Sequence, residues 1–254
     1  DASASVSGFG RRYTFDTGYD QSTFSMMGGA DFGTAFGSGT LLFGALGGYF
    51  NSSADLNASR TDIGYEGGSI GAYATYLAGG FFADVLGKAD IFGVDYDTGD
   101  GNSSGNGVSW GLRSDAGYRF SSGAAYVEPL ASVAAVWTSI DDFRLSGAAV
   151  RAGTNDAVQV GAGARIGWQT AGLDVMLTGR VWDALGDGNT ISIAPPSATP
   201  DSVTDASFTG AFGEVSAQIQ YAVTSQTDVH LSGSYLFGSD QTTVTGAAGV
   251  SYSW

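Results

Sequence analysis

The sequence predicts an all-β protein: one transmembrane antiparallel barrel of about twelve strands occupying residues 1–254. Three observations carry this. Charged residues are only 14% of the chain, well below the roughly 25% of a typical soluble domain, so much of the surface is not built for water. No run of about 18 apolar residues is present to form a spanning helix. A chain that meets lipid without helices must close its strands on themselves, because only closure pairs every backbone polar group. The third observation is a period of two that recurs along the chain, apolar on one face and polar or small on the other.

The elements follow from that period. Val244, Gly246, Ala248, Val250, Tyr252 and Trp254 share one face of the last segment, opposite Thr243, Thr245, Ala247, Gly249, Ser251 and Ser253. Val158, Val160, Ala162, Ala164, Ile166 and Trp168 do the same against Gln159, Gly161, Gly163, Arg165 and Gly167. Turn signals then place strands near 4–15, 22–35, 40–51, 63–77, 81–94, 107–120, 124–139, 157–169, 173–185, 208–223, 227–237 and 243–254. Five connections are tight, at 36–39, 78–80, 121–123, 170–172 and 224–226. The others, near 16–21, 52–62, 95–106, 140–156, 186–207 and 238–242, read as mostly longer polar loops. Short turns on one rim and long loops on the other are what bacterial outer-membrane barrels show, with short turns toward the periplasm. An even strand count puts both termini on that rim.

Aromatics are expected in two interfacial girdles. Phe36, Phe81, Tyr118, Phe120, Tyr126, Trp168, Tyr221 and Trp254 lie beside the short turns; Tyr13, Tyr49, Tyr65, Phe92, Trp110, Trp137, Trp182 and Tyr235 lie toward the loops. A soluble sandwich would use such residues as core but would not explain the alternating connections.

Composition excludes several functions. A net charge of −15 argues against nucleic acid as a partner. The absence of cysteine removes disulfides, thiolate metal sites and cysteine nucleophiles. Asp1-Ala2-Ser3 is not the start of an export signal, so the sequence reads as a mature or excised segment. Aspartates crowd the connections, at 16, 20, 55, 62, 95, 97, 100, 141, 142, 156, 187, 201, 205 and 240; this is first a solvated surface, and secondarily a means of bridging divalent ions to an anionic leaflet. Asp95 to Asn102 resembles a calcium loop but lacks the third ligand and the closing Glu, so no metal site is assigned.

A second set of charges falls on the polar faces of strands: Asp84, Lys88, Asp90, Arg113, Asp115, Arg119, Glu128, Arg165, Arg180 and Glu214. Ionisable groups at membrane depth require a wet or paired interior. They read as lumen-lining, either as ion pairs filling a narrow bore or as a polar wall past which a polypeptide or solute moves. His230, the single histidine, shares its face with Ser232 and Ser234. A serine–histidine hydrolase needs those groups to converge, and nothing else marks the serines as activated. No catalytic motif, cofactor or phosphate loop is present, so the chain is read as a non-enzyme.

Several stretches, in order, carry a likeness. Tyr126-Val127-Glu128-Pro129 opens the seventh strand; Val160-Gly161-Ala162-Gly163-Ala164-Arg165-Ile166-Gly167 forms the eighth; Trp182 precedes Leu185-Gly186-Asp187; Phe212-Gly213-Glu214-Val215 begins the tenth. The chain resembles the C-terminal translocator β-domain of autotransporters, the type V secretion proteins, with Tyr126, Glu128 and Pro129 as family-motif positions. The resemblance implies a barrel that inserts in the bacterial outer membrane, in contact with its lipid and lipopolysaccharide, and moves its own N-terminal passenger to the cell surface. It further implies that Val250, Tyr252 and Trp254 form a signal for the barrel-assembly machinery. The passenger and the helix that leads into such barrels are not in the sequence. If self-cleavage occurred inside the barrel, Asp84, Asp115, Glu128 or Glu214 would be its candidates, but the expectation is against it.

Geometry fits that role. Twelve strands about 4.8 Å apart, tilted about 40°, enclose a backbone radius of about 12 Å. Inward side chains leave a bore of about 14 Å at most, enough for one helix about 10–12 Å wide or a pair of extended strands. The alternatives are a small porin or solute channel without a passenger and, further off, a barrel enzyme or a loop-borne adhesin.

Overall fold

The computed structural model describes residues 2–15, 19–56, 61–98, 101–145, 148–151, 154–185, 189–194, 201–205, 210–238 and 241–254. Twelve strands form the wall: β1 (Ala2–Phe15), β2 (Tyr19–Phe36), β3 (Gly39–Leu56), β4 (Thr61–Ala78), β5 (Phe81–Thr98), β6 (Gly101–Tyr118), β8 (Ala125–Ile140), β11 (Thr154–Gln169), β12 (Leu173–Leu185), β15 (Gly210–Ala222), β16 (Thr227–Phe237) and β17 (Gln241–Ser253). Each pairs antiparallel with its neighbours, and β17 pairs with β1 from Ser3↔Ser253 to Phe15↔Gln241, closing the ring. Carrying the pairing once around the ring returns to β1 about fourteen residues further along, which at about 3.3 Å per residue and about 4.8 Å between strands tilts the strands by about 39°.

The rim that carries both termini follows the sequence closely. Gly37, Gly79 and Gly123 begin its tightest turns at φ of 59°, 60° and 62°, left-handed values that glycine adopts without a Cβ clash. One irregularity has a covalent cause. The β6–β8 ladder stops at Gly117↔Leu130 and resumes in the short β7 (Phe120–Ser122) at Phe120↔Val127. Backbone N–H groups alternate in direction along β8. Asp141, just past its end, points its N–H at Asn106 across the β6 side, and position 129 shares that parity. Pro129 has no N–H to give, so the ladder opens there, while on the other side of β6 the Arg119 N–H continues the β5–β6 register to the Gly80 carbonyl at 2.7 Å.

The opposite rim differs from expectation. Residues 52–56, 61–62, 95–98 and 101–106, expected to be loop, continue as strand. Strands β2 to β6 are 18 residues each, whereas β12, β15, β16 and β17 have 13, 13, 11 and 13. The difference of five residues raises one side of the wall by roughly 16 Å of strand. In this collar the polarity inverts: Ala54, Phe92 and Val94 are buried on the inner face, and Asp20, Asp55, Asp62 and Asp97 stand opposite one another across four strands on the outer face. The period of two persists, but its polar face now meets water, which is why composition alone reads it as loop.

Two connections on this rim are long, and both contain strand. β9 (Phe143–Leu145) and β10 (Ala148–Arg151) lie between β8 and β11; β13 (Asn189–Ala194) and β14 (Asp201–Asp205) lie between β12 and β15. They join as a separate sheet in the order β14-β13-β10-β9. Phe143 stacks on Tyr96 of the collar with ring centroids 4.1 Å apart. The expected connections 16–21 and 238–242 shrink to the three residues between β1 and β2 and between β16 and β17. Of the loop aspartates, 16, 100, 187 and 240 lie outside the described residues.

The girdles are narrower than expected. Phe36, Phe81, Tyr118, Phe120, Trp168, Tyr221 and Trp254 are exposed near the terminal rim, and Tyr49, Trp110, Trp137 and Tyr235 toward the other. Tyr126, Phe92 and Trp182 are buried on the inner face, and Tyr65 shares it through its edge-on contact with Phe92. They are packing groups, not interfacial anchors. Trp182, 3% exposed, lies across Gly161, where an added Cβ would stand 2.6 Å from the indole; Phe92 is seated on Gly107 and Tyr126 on Gly167 in the same way. Glycine on one strand makes the recess that an aromatic on the next one fills.

Candidate functional site

The bore is the candidate site. The structure turns Asp84, Lys88 and Asp90 of β5, Arg113 and Asp115 of β6, Glu128 of β8, Arg165 of β11, Arg180 of β12 and Glu214 of β15 to the inner face, with Arg119 beside them between β6 and β7. They stand on the sector from β5 to β15. The sector from β16 round to β3 presents mainly serine, threonine, glycine and alanine, so the bore has a charged wall and a largely uncharged one.

The charged wall is a set of linked pairs. Near the terminal rim, Glu128, 1% exposed, accepts from Arg119 on one oxygen and from Arg165 Nη1 at 2.6 Å on the other. Arg119 also lies over the Tyr126 ring at 3.9 Å, and the Tyr126 hydroxyl donates to Asp174 at 3.0 Å. Further along, Asp115 accepts from Ser132 and from Arg113 Nε at 3.1 Å. Arg180 lies between Asp115 and Glu214, 3.6 Å from each, and Trp182 Nε1 donates to Glu214 at 2.7 Å. Lys88 pairs with Asp90 at 3.0 Å, and Ser69 donates to the same carboxylate. Asp84 faces Asp115 across the β5–β6 ladder. Because the pairs satisfy one another, the wall presents little unbalanced charge along most of its length.

Sequence reasoning did not single out Asp31. It accepts from Ser3 at 2.7 Å and from Tyr73 at 2.6 Å, tying the first strand into the wall. Its inward parity was the available signal. His230 faces inward over Gly249; Ser232 and Ser234 line a cavity to which His230 does not contribute. No cluster of potential metal ligands occurs among the described residues. Val250, Tyr252 and Trp254 are exposed on the outer face of β17, and the Trp254 N–H bonds the Ala2 carbonyl at 3.1 Å.

A closed twelve-strand barrel, apolar outside and lined by paired polar groups within, defines a membrane-spanning β-barrel, and the comparisons give the family. Residues 4–235 match the family described as Autotransporter beta-domain; the chain belongs to it. Its fold is shared by the β-domain of the Bordetella autotransporter BrkA (22% identity, TM-score 0.74, covering 100% of this chain and 99% of that one). The transport unit of AIDA-I from Escherichia coli is also similar (16%, 0.73, 100% and 90%), as is the translocator domain of NalP from Neisseria meningitidis (12%, 0.82, 100% and 88%). No curated protein sequence matches. The chain is an outer-membrane barrel of type V secretion that translocates its own passenger. The family match stops short of Val250, Tyr252 and Trp254.

Proposed function

We propose that the barrel stands with its termini and short turns at the periplasmic face, its apolar belt in outer-membrane lipid and lipopolysaccharide, and its collar outside. The observation that carries this orientation is the collar itself. Polar residues replace apolar ones on the outer face only at that end, where Asp20, Asp55, Asp62 and Asp97 form a row that water, or an anionic leaflet bridged by divalent ions, accommodates and an acyl layer does not. Protease added to intact cells should cut a site inserted at 57–60 and leave one inserted at 170–172 uncut; the reverse pattern refutes the orientation.

Insertion depends on the barrel-assembly machinery, with Val250, Tyr252 and Trp254 as the signal. Their shared outward face on the strand that closes the ring against β1 supports this reading, because it presents all three side chains to a partner outside the wall. Removing Trp254 should lower the folded yield in the outer membrane several-fold, whereas Trp168→Ala, an equally exposed anchor at the same rim, should lower it little. Equal losses make Trp254 an anchor only. The barrel acts as a transporter and not as an enzyme, so His230→Ala should leave passenger display unchanged.

A further inference from the structure

One cavity in the bore gathers three guanidinium groups. It has a volume of about 260 Å³ and is lined by Arg113, Arg165, Arg180 and Glu214, with Ser216 and Ser234 among its hydroxyls. Arg113 and Arg165 keep their own carboxylates, Asp115 and Glu128, behind this lining, so what sets the cavity apart is its N–H donors and not a net charge. Water occupies about 30 Å³ in the liquid, so the space exceeds what a carboxylate or sulfate group needs.

Arg180 supplies an independent observation. Its side chain is 7% exposed, yet both carboxylate neighbours lie at 3.6 Å, past hydrogen-bond reach. Those carboxylates give their short contacts to other donors: Asp115 to Ser132 and Arg113, Glu214 to Trp182. The Nε of Arg180 has no acceptor, and neither has the Nε of Arg165. A guanidinium is all donor, and a buried N–H of it left without an acceptor is costly. The wall holds buried N–H donors at this place without the acceptors to match.

We propose that this cavity is a binding site for an oxyanion, with Arg180 as its principal donor and Arg113 and Arg165 beside it. The oxyanion is either a carboxylate borne by a polypeptide in the bore or a free anion of the sulfate type. The first source rests on the translocator function; the anion chemistry does not.

The test uses the full chain folded in detergent micelles. Sodium sulfate is titrated calorimetrically against sodium chloride at matched ionic strength. Sulfate should bind saturably and chloride should not. Ser216→Asp and Ser234→Asp each place a carboxylate in the cavity without removing an existing ion pair. Each should weaken sulfate binding at least tenfold, with folding of each variant checked by its heat-modifiable migration on gels. Two separate positions keep the test decisive if one variant fails to fold. Sulfate that behaves as chloride does, or sulfate affinity unchanged in the folded variants, overturns the site. Displacement of sulfate by a hexaglutamate peptide but not by hexalysine supports the polypeptide source. Sulfate binding that neither peptide displaces overturns that source and leaves a free-anion site.

Discussion

Arg165 Nη1 lies 2.6 Å from Glu128 Oε2 across the β8–β11 ladder, and Arg119 donates to the other oxygen of the same carboxylate. One buried anion therefore holds two cations from different parts of the wall. Glu128→Gln removes the charge and keeps the shape, leaving both guanidiniums facing each other without a counter-ion. Breaking a buried pair from one side costs about 3 kcal/mol, and the urea midpoint of the detergent-folded barrel should fall accordingly. Lys88→Met, at a more exposed pair, should cost less than about 1 kcal/mol.

Trp182 is held by a recess and a hydrogen bond: Gly161 beneath the ring and Glu214 at Nε1. Gly161→Val fills the recess. Overpacking of this kind costs about 1–3 kcal/mol and should displace the indole from Glu214, seen as a changed near-ultraviolet dichroism. An unchanged signal would mean that the recess yields elsewhere.

Lipid access should sort the tryptophans. Trp110, Trp137, Trp168 and Trp254 are exposed on the outer face and Trp182 is not. In single-tryptophan variants, brominated acyl chains should quench the first four and leave Trp182 bright. Quenching of Trp182 equal to the rest would contradict its inward placement.

The aspartate row on the collar should respond to pH. Asp62 hydrogen-bonds Asp55, and that bond, with burial and the charges of Asp55 and Asp97, raises its carboxyl above the ordinary value. A raised folded-state value means that the protonated form is favoured by folding. The contribution is therefore complete below the unfolded carboxyl value and is lost as pH rises through the folded one. Amide exchange at the outer ends of β3, β4 and β5, corrected for intrinsic rates, should show more protection near pH 3.5 than near pH 7. Asp62→Asn should remove that difference.

The sequence located strand ends well where glycine turns bound them, as at Gly37, Gly79 and Gly123, because a positive φ is a local requirement. It failed on the collar, where residues such as Asp55, Asp62 and Asp97 are strand. Polarity there records the solvent outside the wall, not the backbone conformation. Charged residues were assignable by parity, since a charge tolerates only one face in lipid. Aromatics tolerate both, so Trp182 and Phe92 were placed by distance along the strand when their parity with Arg180 and Asp90 already pointed inward. The loop strands β9, β10, β13 and β14 depend on pairing between distant segments, which no local pattern encodes. Whether Arg180 would reach its carboxylates was likewise a matter of ångströms between strands.

The unequal wall gives the mouth a direction. Strands β2 to β6 rise on one side, and the small sheet is carried by the connections beyond β8 and β12. Between them β16 and β17 stop after 11 and 13 residues. The rim there forms a lip lower than its neighbours, beside the seam where the first and last strands meet. A chain emerging from this bore meets a bank on the collar side and open space over the lip. It is poured rather than lifted, and its bearing relative to the seam is set by strand lengths alone.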